Sequence, residues 1–358
     1  MNKYLKLLPI IIIFLLATQK RLGYFYQKGK DVYAYERAIT DLLEGKNPYE
    51  WTIESYSNPD DPGNHGYAYL PGVLYLFTPL YIVSFLTKFP VQYLWKLPVL
   101  LADLGVGILF IKAFKKKNYF GLLAALLVWF FNPYSYFRSG YTYTEPITIF
   151  FMFLSLIYLE KDSVLTGTFY SLSIVFKTFP YILLPVYLLK TKNWRKFIAA
   201  CLIVGIFVSL PFMRSVDFFA DYIKGSILVH SNRFVQGRPL LWYIRYYYSI
   251  EFFELISFKT YTLLASFSGW FVVLALYFYF KVRDKYILSL IPFLSFYLFT
   301  PVFNRTYVMW FIPVFVLSMH KIFSGKYRFM YFLSLASYFC FFGWYLVQWR
   351  DGFHIWHP

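Results

Sequence analysis

Charge is scarce in this sequence, and negative charge is the scarcer sign. Only 15% of the 358 residues are charged, and 18 acidic residues stand against 35 lysines and arginines, for a net charge of +17. Globular proteins ordinarily carry about 25% charged residues. Apolar residues make up 59% of the chain, more than a water-soluble protein can bury, so part of the surface must face lipid. The composition therefore excludes a cytosolic enzyme and a disordered tail.

Cysteine and a signal-peptide cleavage site are also lacking. The two cysteines, Cys201 and Cys340, both lie within apolar runs, which excludes a disulfide-rich secreted module and a cysteine metal site. Lys3 and Lys6 precede an apolar run, as in a signal peptide, but no small-x-small pattern follows it. We therefore expect an uncleaved first membrane span.

Eleven apolar runs approach the length of about 20 residues that a spanning helix needs. They predict an all-α polytopic membrane protein with about 11 transmembrane helices, forming one integral membrane domain over residues 1–358. Two short runs flank Phe179-Pro180, so 164–189 is either one bent helix or two half-helices, since proline breaks the hydrogen-bond ladder. The runs are 4–19, 94–114, 118–133, 145–159, 164–176, 179–189, 197–213, 260–280, 286–300, 307–322 and 329–347.

One further run, 71–87, determines which loops share a side of the membrane. If it does not span, the short loops rich in lysine and arginine fall on the side of the N-terminus, with Glu160, Asp162 and Asp284 as their only acids. Short, basic, acid-poor loops are cytoplasmic. We therefore predict a cytoplasmic N-terminus and an interfacial or re-entrant helix at 71–87. The positive charge then marks topology, not nucleic-acid binding.

Two large loops, 20–93 and 214–258, lie on the predicted outer face, and large loops on one face usually carry function. Asp31 starts a predicted amphipathic helix over 31–44 in the first of them, and Gly45 ends that helix. A carboxylate at a helix N-terminus stays ionised, which suits a general base. The alternative is a solvated loop acid.

Two charged residues lie at the ends of predicted spans. Glu145 enters a span from an outer loop and is either a catalytic acid or a partner of the helix dipole. Lys177 lies among apolar residues at membrane depth, where a cation takes an anionic partner unless its side chain snorkels to water.

A second group of candidates is basic. His230, Arg233 and Arg238 lie within nine residues of the second large loop, and Arg305 follows Asn304 at the outer start of a late span. Clustered arginines bind phosphate well, although a solvated loop is the alternative. Under a topology derived only from loop charge, every candidate falls on the outer face.

Short motifs run through the same loops. The first loop contains Asp31, Tyr33, Glu44-Gly45, Asn47-Pro48-Tyr49 and Tyr67-Ala68-Tyr69-Leu70-Pro71. Later segments are Trp129 with Asn132-Pro133, Lys177-Thr178-Phe179-Pro180, and Asn304-Arg305-Thr306-Tyr307 with Trp310. Together, over about residues 25–315, they resemble the GT-C polyprenyl-phosphate-sugar glycosyltransferases. The most similar branch is that of the GPI-anchor first mannosyltransferase and its prokaryotic relatives.

The resemblance implies a GT-C-like fold and transfer of a sugar, above all mannose, from a polyprenyl-phosphate donor in the membrane to a lipid, glycan or protein acceptor outside the cytoplasm. Asp31 would act as base in one inverting displacement, with Glu145 assisting. The donor phosphate would be bound by Lys177, Arg305, Arg233, Arg238 and His230. The substrates would also contact Tyr33, Tyr67, Tyr69 and Asn304.

No cofactor is predicted. The eukaryotic branch opens its loop with D-x-D, whereas this chain has Gly29-Lys30-Asp31 and keeps only the second acid. We assign no metal ligand, and dependence on a divalent metal stays open.

The main alternative function is a polytopic transporter or lipid flippase without transferase activity, and a scaffold protein without a site is a third. A transporter should carry polar residues near mid-membrane. Asp103 is the clearest such residue here, whereas the other candidates crowd one rim. That distribution favours chemistry at the rim.

Overall fold

The structure is a computed structural model, and it describes residues 3–57, 66–114, 118–137, 144–232, 236–240, 243, 258–323 and 325–348. Its described part is almost entirely helical. The helices in the first half are α1 Lys3–Leu22, α2 Lys30–Leu43, α3 Glu50–Ser57, α4 Gly72–Thr87, α5 Val91–Phe114, α6 Tyr119–Phe130, α7 Pro133–Phe137, α8 Glu145–Tyr158 and α9 Ser163–Phe176. Those in the second half are α10 Leu184–Lys190, α11 Trp194–Ser209, α12 Val216–Ser226, α13 Phe258–Phe278, α14 Lys285–Phe299, α15 Tyr307–Trp310, α16 Ile312–Ile322 and α17 Arg328–Gln348.

Short 3-10 helices and one small strand pair complete the described fold. The 3-10 segments are Phe179–Leu183, Leu210–Phe212, Leu228–Asn232 and Gly325–Tyr327. Strands β1 (Gln236–Gly237) and β2 (Val302–Phe303) pair in parallel. Several helices begin at a side-chain cap, in which a polar oxygen accepts an otherwise unpaired backbone N–H. These caps are Asn118, Asp162, Asn193, Ser215 and Asp284.

Each of the eleven predicted apolar runs coincides with helical structure, so the all-α prediction is confirmed. Four helices are long and apolar enough by themselves to cross a bilayer: Val91–Phe114, Trp194–Phe212, Thr260–Phe278 and Arg328–Gln348. The other apolar helices are shorter. The run 307–322 is divided, since α15 ends at Trp310 and α16 begins at Ile312. How many helices cross the membrane stays a prediction.

The segment 164–189 is broken into two helical pieces. Helix α9 ends at Phe176, and Lys177 is extended, with φ −159° and ψ 132°. A 3-10 turn then starts at Phe179 and continues into α10. Pro180 has no N–H to donate to the carbonyl of Phe176, and in a continuous helix its ring would clash with that carbonyl. The break places the Lys177 side chain at a helix end.

Two hydrophobic cores organise the molecule. The larger one joins α1, α5, α6, α8, α9 and most of the later helices, with the exception of α12. The second is built from the predicted first outer loop, where Val32, Tyr35 and Ile39 of α2 pack with residues of α4 and the first half of α5. The loop 20–93 is therefore, over its described residues, a packed layer and not a solvated excursion.

Ion pairs join several loops at one end of the bundle. Glu160, after α8, pairs with Lys190 of α10 at 2.8 Å, and Asp284, before α14, pairs with Lys321 of α16 at 3.9 Å. These basic loops therefore share one face. Helix α8 has 14 residues, so its first residue lies about 21 Å away, at a rise of 1.5 Å per residue.

Candidate functional site

The site centres on an ion pair between Glu145 and Lys177. Glu145 is the first residue of α8 and Lys177 directly follows α9, and the short loop between these helices brings the two residues together. Lys177 Nζ donates to Glu145 Oε1 at 2.5 Å. An acid at a helix N-terminus and a cation at a helix C-terminus each stabilise the helix macrodipole. The dipole of α8 thus stabilises the charge of Glu145, and the dipole of α9 stabilises that of Lys177.

Both partners are shielded from water. Glu145 is 1% exposed, and 13% of the Lys177 side chain is accessible. The anionic partner that the sequence predicts for Lys177 is Glu145, and the lysine does not snorkel. Glu145 likewise does more than complement its own helix dipole.

Aromatic rings enclose the lysine. Lys177 Nζ lies 5.5 Å from the ring centroid of Tyr69 and 5.6 Å from that of Trp310, within range of cation–π attraction. Trp310 in turn stacks on Phe179, with centroids 4.0 Å apart and an angle of 6° between the planes. The motif after Lys177 therefore fixes the ring that covers it, and the late motif containing Trp310 closes the same site.

Asp31 faces this cluster from α2. It lies in the first turn of that helix, which confirms the predicted start within one residue, and its charge acts on both Tyr35 and Lys177. Tyr35, one helical turn further, is 2% exposed. Burial raises the pKa of Tyr35 well above its usual range, and the charges of Tyr69, Asp31 and Glu145 add to the effect. The Tyr35 hydroxyl is therefore a neutral hydrogen-bonding group.

The Tyr67–Pro71 motif is held in place by the loop before it. Tyr49 Oη donates to the backbone carbonyl of Tyr69 at 2.9 Å, and Thr52 Oγ1 donates to that of Tyr67 at 2.9 Å. The ring of Tyr67 packs on those of Tyr35 and Tyr69, with centroids 6.0 and 5.7 Å apart. This network fixes the ring of Tyr69 against Lys177.

Three buried polar atoms at the site have no hydrogen-bond partner among the described residues: Glu145 Oε2, Thr148 Oγ1 and Trp310 Nε1. Burying such groups unpaired is costly. The glutamate oxygen is an acceptor, the indole N–H is a donor and the threonine hydroxyl can be either. Together with Lys177, these groups suit a polar ligand that supplies both hydroxyl groups and anionic oxygens.

One of the basic candidates, Arg238, directly follows a strand of the small parallel pair. Gln236 pairs with Val302 and Gly237 with Phe303, so the backbone of Arg238 follows in register beside Asn304. Arg238 donates to Gln348 Oε1 at 3.2 Å. His230 lies in the 3-10 segment after α12. Arg233 lies outside the described residues.

Arg305 lies two residues before α15. Tyr307 N donates to the carbonyl of Asn304 at 2.9 Å, which ties the residues before α15 to its first turn. Tyr307 itself acts electrostatically on Lys177. Arg305 and Asn304 are thus one helical turn from the residues that enclose the lysine.

Tyr33 is separated from the cluster. It is 59% exposed and lies on the face of α2 opposite Tyr35, with Lys28 Nζ 4.5 Å from its ring. Sequence reasoning selected Tyr33 and missed Tyr35, although helical spacing places Tyr35, at i+4, above Asp31.

Two further buried cations were also missed. Arg21 pairs with Asp103 (Nε–Oδ2, 2.5 Å), with side chains 2% and 4% exposed, and donates to the carbonyl of Phe130 at 2.9 Å. Lys96, 3% exposed, donates to the carbonyl of Tyr24 at 2.7 Å. For Lys96 the signal was the same as for Lys177, a charge within an apolar run that needs a partner. Arg21 lies just beyond the first run, and its partner Asp103 carried that signal.

Metal-ligating side chains are dispersed in this structure. Within the described ranges, no three histidine, cysteine, aspartate or glutamate residues are grouped so that they could hold a metal ion. Dependence on a divalent metal therefore remains a question for experiment.

The chain belongs to glycosyltransferase family 87, whose sequence model matches residues 67–301. The four helices long and apolar enough to cross a bilayer fit an integral membrane member of this family. The family match includes Glu145 and Lys177 but ends before Asn304 and begins after Asp31.

The chain is also similar to GPI mannosyltransferase 1 of Kluyveromyces lactis. The two are 29% identical over 178 residues, which are 47% of this chain and 42% of the relative. The matched part therefore spans less than half of the relative's length.

Proposed function

We propose that the protein transfers a sugar, mannose first among the candidates, from a polyprenyl-phosphate donor to an acceptor on the non-cytoplasmic face, with inversion. One observation carries this proposal. Glu145 and Lys177 pair inside an aromatic-walled cluster at the ends of two apolar helices, and the charge of Asp31, from the distant helix α2, acts on the same lysine. The similarity to a mannosyltransferase supports the choice of sugar.

Asp31 is the proposed base. Its carboxylate takes the proton of the acceptor hydroxyl while the hydroxyl oxygen attacks the anomeric carbon from the side opposite the phosphate. The bond from that carbon to the phosphate oxygen breaks, and the electron pair leaves on the phosphate. One displacement of this kind inverts the configuration.

Lys177 is the proposed ligand of the leaving phosphate. An ammonium group has three N–H donors, and the bond to Glu145 uses one of them. Glu145 then holds the lysine in place, and its second oxygen orients the acceptor hydroxyl. Arg305 approaches from α15 and adds positive charge where negative charge develops. Arg238, His230 and Arg233 are proposed as further phosphate ligands.

The proposed orientation follows the basic loops. Loops rich in lysine and arginine face the cytoplasm, so the end of α8 at Glu160 lies on that side and Glu145 on the other. The donor then enters from the outer leaflet, where its lipid tail stays in the membrane. Tyr67, Tyr69 and Asn304 are proposed to contact the substrates, at either a sugar ring or a hydroxyl. Tyr33 is left out of this proposal, because it lies on the opposite face of α2 and is 59% exposed.

The alternative function, a transporter or flippase, depended on Asp103 as a mid-membrane polar residue, and the structure pairs that residue. Asp103, the clearest mid-membrane acid, is paired with the buried Arg21, and its backbone carbonyl accepts from Trp129 Nε1 at 3.0 Å. This arrangement explains Asp103 as part of the helix packing between α1, α5 and α6.

The test compares Asp31→Asn with Asp217→Asn. Asp217 also lies in the first turn of a loop helix, α12, but is exposed. Purified protein in detergent is given polyprenyl phosphate carrying labelled mannose, glucose or galactose, with a total membrane lipid and glycan extract as acceptor pool. Asp31→Asn should reduce transfer by about 10²–10⁴-fold, the usual contribution of a general base, and leave donor binding unchanged.

Asp217→Asn should behave as wild type. Undiminished transfer by Asp31→Asn would contradict the assignment of the base. Failure of the wild-type protein to transfer any of the three sugars would contradict the proposed function itself.

A further inference from the structure

A second polar site lies on the other side of α2. A cleft with a volume of about 420 Å³ lies between α2, the turn after it and α3, and it is lined by Arg37, Asp41, Lys46, Asn47, Glu50, Trp51 and Glu54. Its size is within the range of about 300–1,000 Å³ that is typical of small-molecule sites. None of these seven residues takes part in the cluster around Lys177.

The cleft is separate from the proposed reaction centre. Tyr35, Ala38 and Ile39 form the buried face of α2, whereas Arg37 and Asp41 lie on another face, one helical turn apart. Asp41 is ten residues beyond Asp31, about 15 Å along the helix axis. A molecule in the cleft therefore cannot react there, but an extended molecule could reach both places.

The floor of the cleft is rigid. Gly45, with φ +76°, ends α2 in a Schellman motif, in which Lys46 N donates to the carbonyl of Asp41 at 2.8 Å. Asn47 Nδ2 donates to the carbonyl of Phe218 in α12 at 3.2 Å, and Asn47 Oδ1 accepts from Tyr49 N at 3.1 Å. The glycine and asparagine of this motif thus shape a binding surface instead of taking part in the reaction.

The lining has the chemistry that recognises a sugar. The Arg37 guanidinium lies 4.9 Å from the ring centroid of Trp51, which fixes the ring, and an aromatic ring offers an apolar platform for a pyranose. Asp41, Glu50 and Glu54 offer carboxylate oxygens that accept from pairs of hydroxyls. Burial raises the pKa of Asp41, a cost that a hydroxyl donor from a ligand would offset.

Trp51 supplies a further donor. Its Nε1 is buried and has no hydrogen-bond partner among the described residues. A hydroxyl oxygen satisfies such a group without adding charge. The lining carries both signs, with Arg37 and Lys46 against three carboxylates, so it favours a neutral polyhydroxylated ligand over a phosphate.

We infer that this cleft binds sugar residues of the acceptor that are remote from the hydroxyl being glycosylated. The inference rests on the proposed transfer reaction for the identity of the ligand, but its test measures binding alone.

The test uses mannotriose as the probe, with inorganic phosphate as the comparison. Saturation-transfer NMR in detergent measures binding to the wild type and to Trp51→Ala, Asp41→Asn and Trp194→Ala. Trp194 is the matched control, because it is 54% exposed and stacks with Arg195 at 5.5 Å, but lies in α11. Mannotriose affinity should fall about tenfold in the first two variants and stay unchanged in the third.

Equal mannotriose binding in wild type, Trp51→Ala and Asp41→Asn would overturn the inference, as would displacement of mannotriose by phosphate. If Trp51→Ala does not fold, Asp41→Asn and Glu54→Gln decide the question. Loss of mannotriose binding with intact sugar transfer to short acceptors supports the cleft as a separate site. If the wild-type protein binds mannotriose but transfers no sugar, the proposed transfer reaction is refuted and the cleft remains a sugar-binding site.

Discussion

The pair of Glu145 and Lys177 allows stability and function to be tested separately. Lys177→Met removes the cation and leaves a glutamate that is 1% exposed, and Glu145→Gln leaves a lysine that is 13% accessible. Losing one partner of a buried ion pair typically costs about 3–5 kcal/mol, because the other charge stays buried without compensation. Each single variant should therefore unfold more easily, at the lower end of that range for Glu145→Gln, since the lysine is the more accessible partner.

The double variant Glu145→Gln/Lys177→Met removes both charges. Replacing a whole buried pair by neutral groups is often neutral or stabilising, so its free energy of unfolding in mixed detergent micelles should return to near the wild-type value. Sugar transfer and donor binding should not return, because the phosphate ligand is gone. A donor titration with a fluorescent polyprenyl-phosphate mannose analogue measures binding on the same samples.

The buried pair of Arg21 and Asp103 is the matched control. Its side chains are 2% and 4% exposed, but they lie away from the cluster around Lys177. Arg21→Met/Asp103→Asn should lower stability, since Arg21 also donates to the carbonyls of Ala17 and Phe130, while the folded fraction keeps its specific transfer activity. If the Glu145/Lys177 double variant binds donor as the wild type does, Lys177 is a structural residue and the phosphate assignment is wrong.

Three further predictions concern the backbone, pH and topology. Gly45→Ala should destabilise the protein by about 1 kcal/mol, because Gly45 has φ +76°. Gly205→Ala in α11, where an added Cβ meets nothing within 4 Å, should instead stabilise it by about 0.5–1 kcal/mol. Urea titration measures both changes, and equal effects would contradict the helix-end geometry at Gly45. Burial raises the pKa of Asp41 in the folded protein, so the folded state holds this proton more tightly than the unfolded state. The free energy of unfolding should therefore fall as pH rises from about 4 through the Asp41 titration. In Asp41→Asn this pH dependence should be absent, and an unchanged dependence would exclude Asp41 as its source. On a background without the native cysteines, Lys192→Cys should react with an impermeant maleimide only from the cytoplasm and Glu50→Cys only from outside; the reverse pattern would invert the proposed topology.

Much of the fold was predictable because lipid imposes a simple rule. A segment in the bilayer must satisfy its own backbone, which makes apolar runs helical, and each of the eleven runs is helical in the structure. Helix α2 was also predictable, because its cap at Gly45 follows from backbone geometry that glycine adopts most readily. The number of membrane spans was harder to predict. Hydropathy alone does not distinguish a short spanning helix such as α8 or α10 from a helix buried in a protein core.

The sequence indicated which charged residues belong to the site, but not which of them form ion pairs with each other. Asp31, Glu145 and Lys177 each had a sequence-level reason to be selected, and all three lie in one cluster. Which anion neutralises Lys177 depends on helix packing that brings residue 145 beside residue 177, and no local pattern encodes it. For the same reason Arg21 and Asp103 were not recognised as partners, although each was a charge in need of one.

The break after α9 places the Lys177 cation at a helix end, where we propose that the donor phosphate binds. A lysine inside a continuous helix would point its ammonium along the helix surface, toward the neighbouring turn. Here the extended backbone at Lys177 ends the helix, and the side chain meets Glu145, Tyr69 and Trp310 at the bundle's rim. The glutamate keeps the ammonium charged in an apolar setting, and two of its three N–H donors stay available to an anion. If Lys177 is the phosphate ligand that we propose, Pro180, which prevents α9 from continuing, contributes to binding without contacting the ligand. In Pro180→Ala, a helix that continues through Lys177 would separate it from Glu145, and donor affinity would fall together with the ion pair.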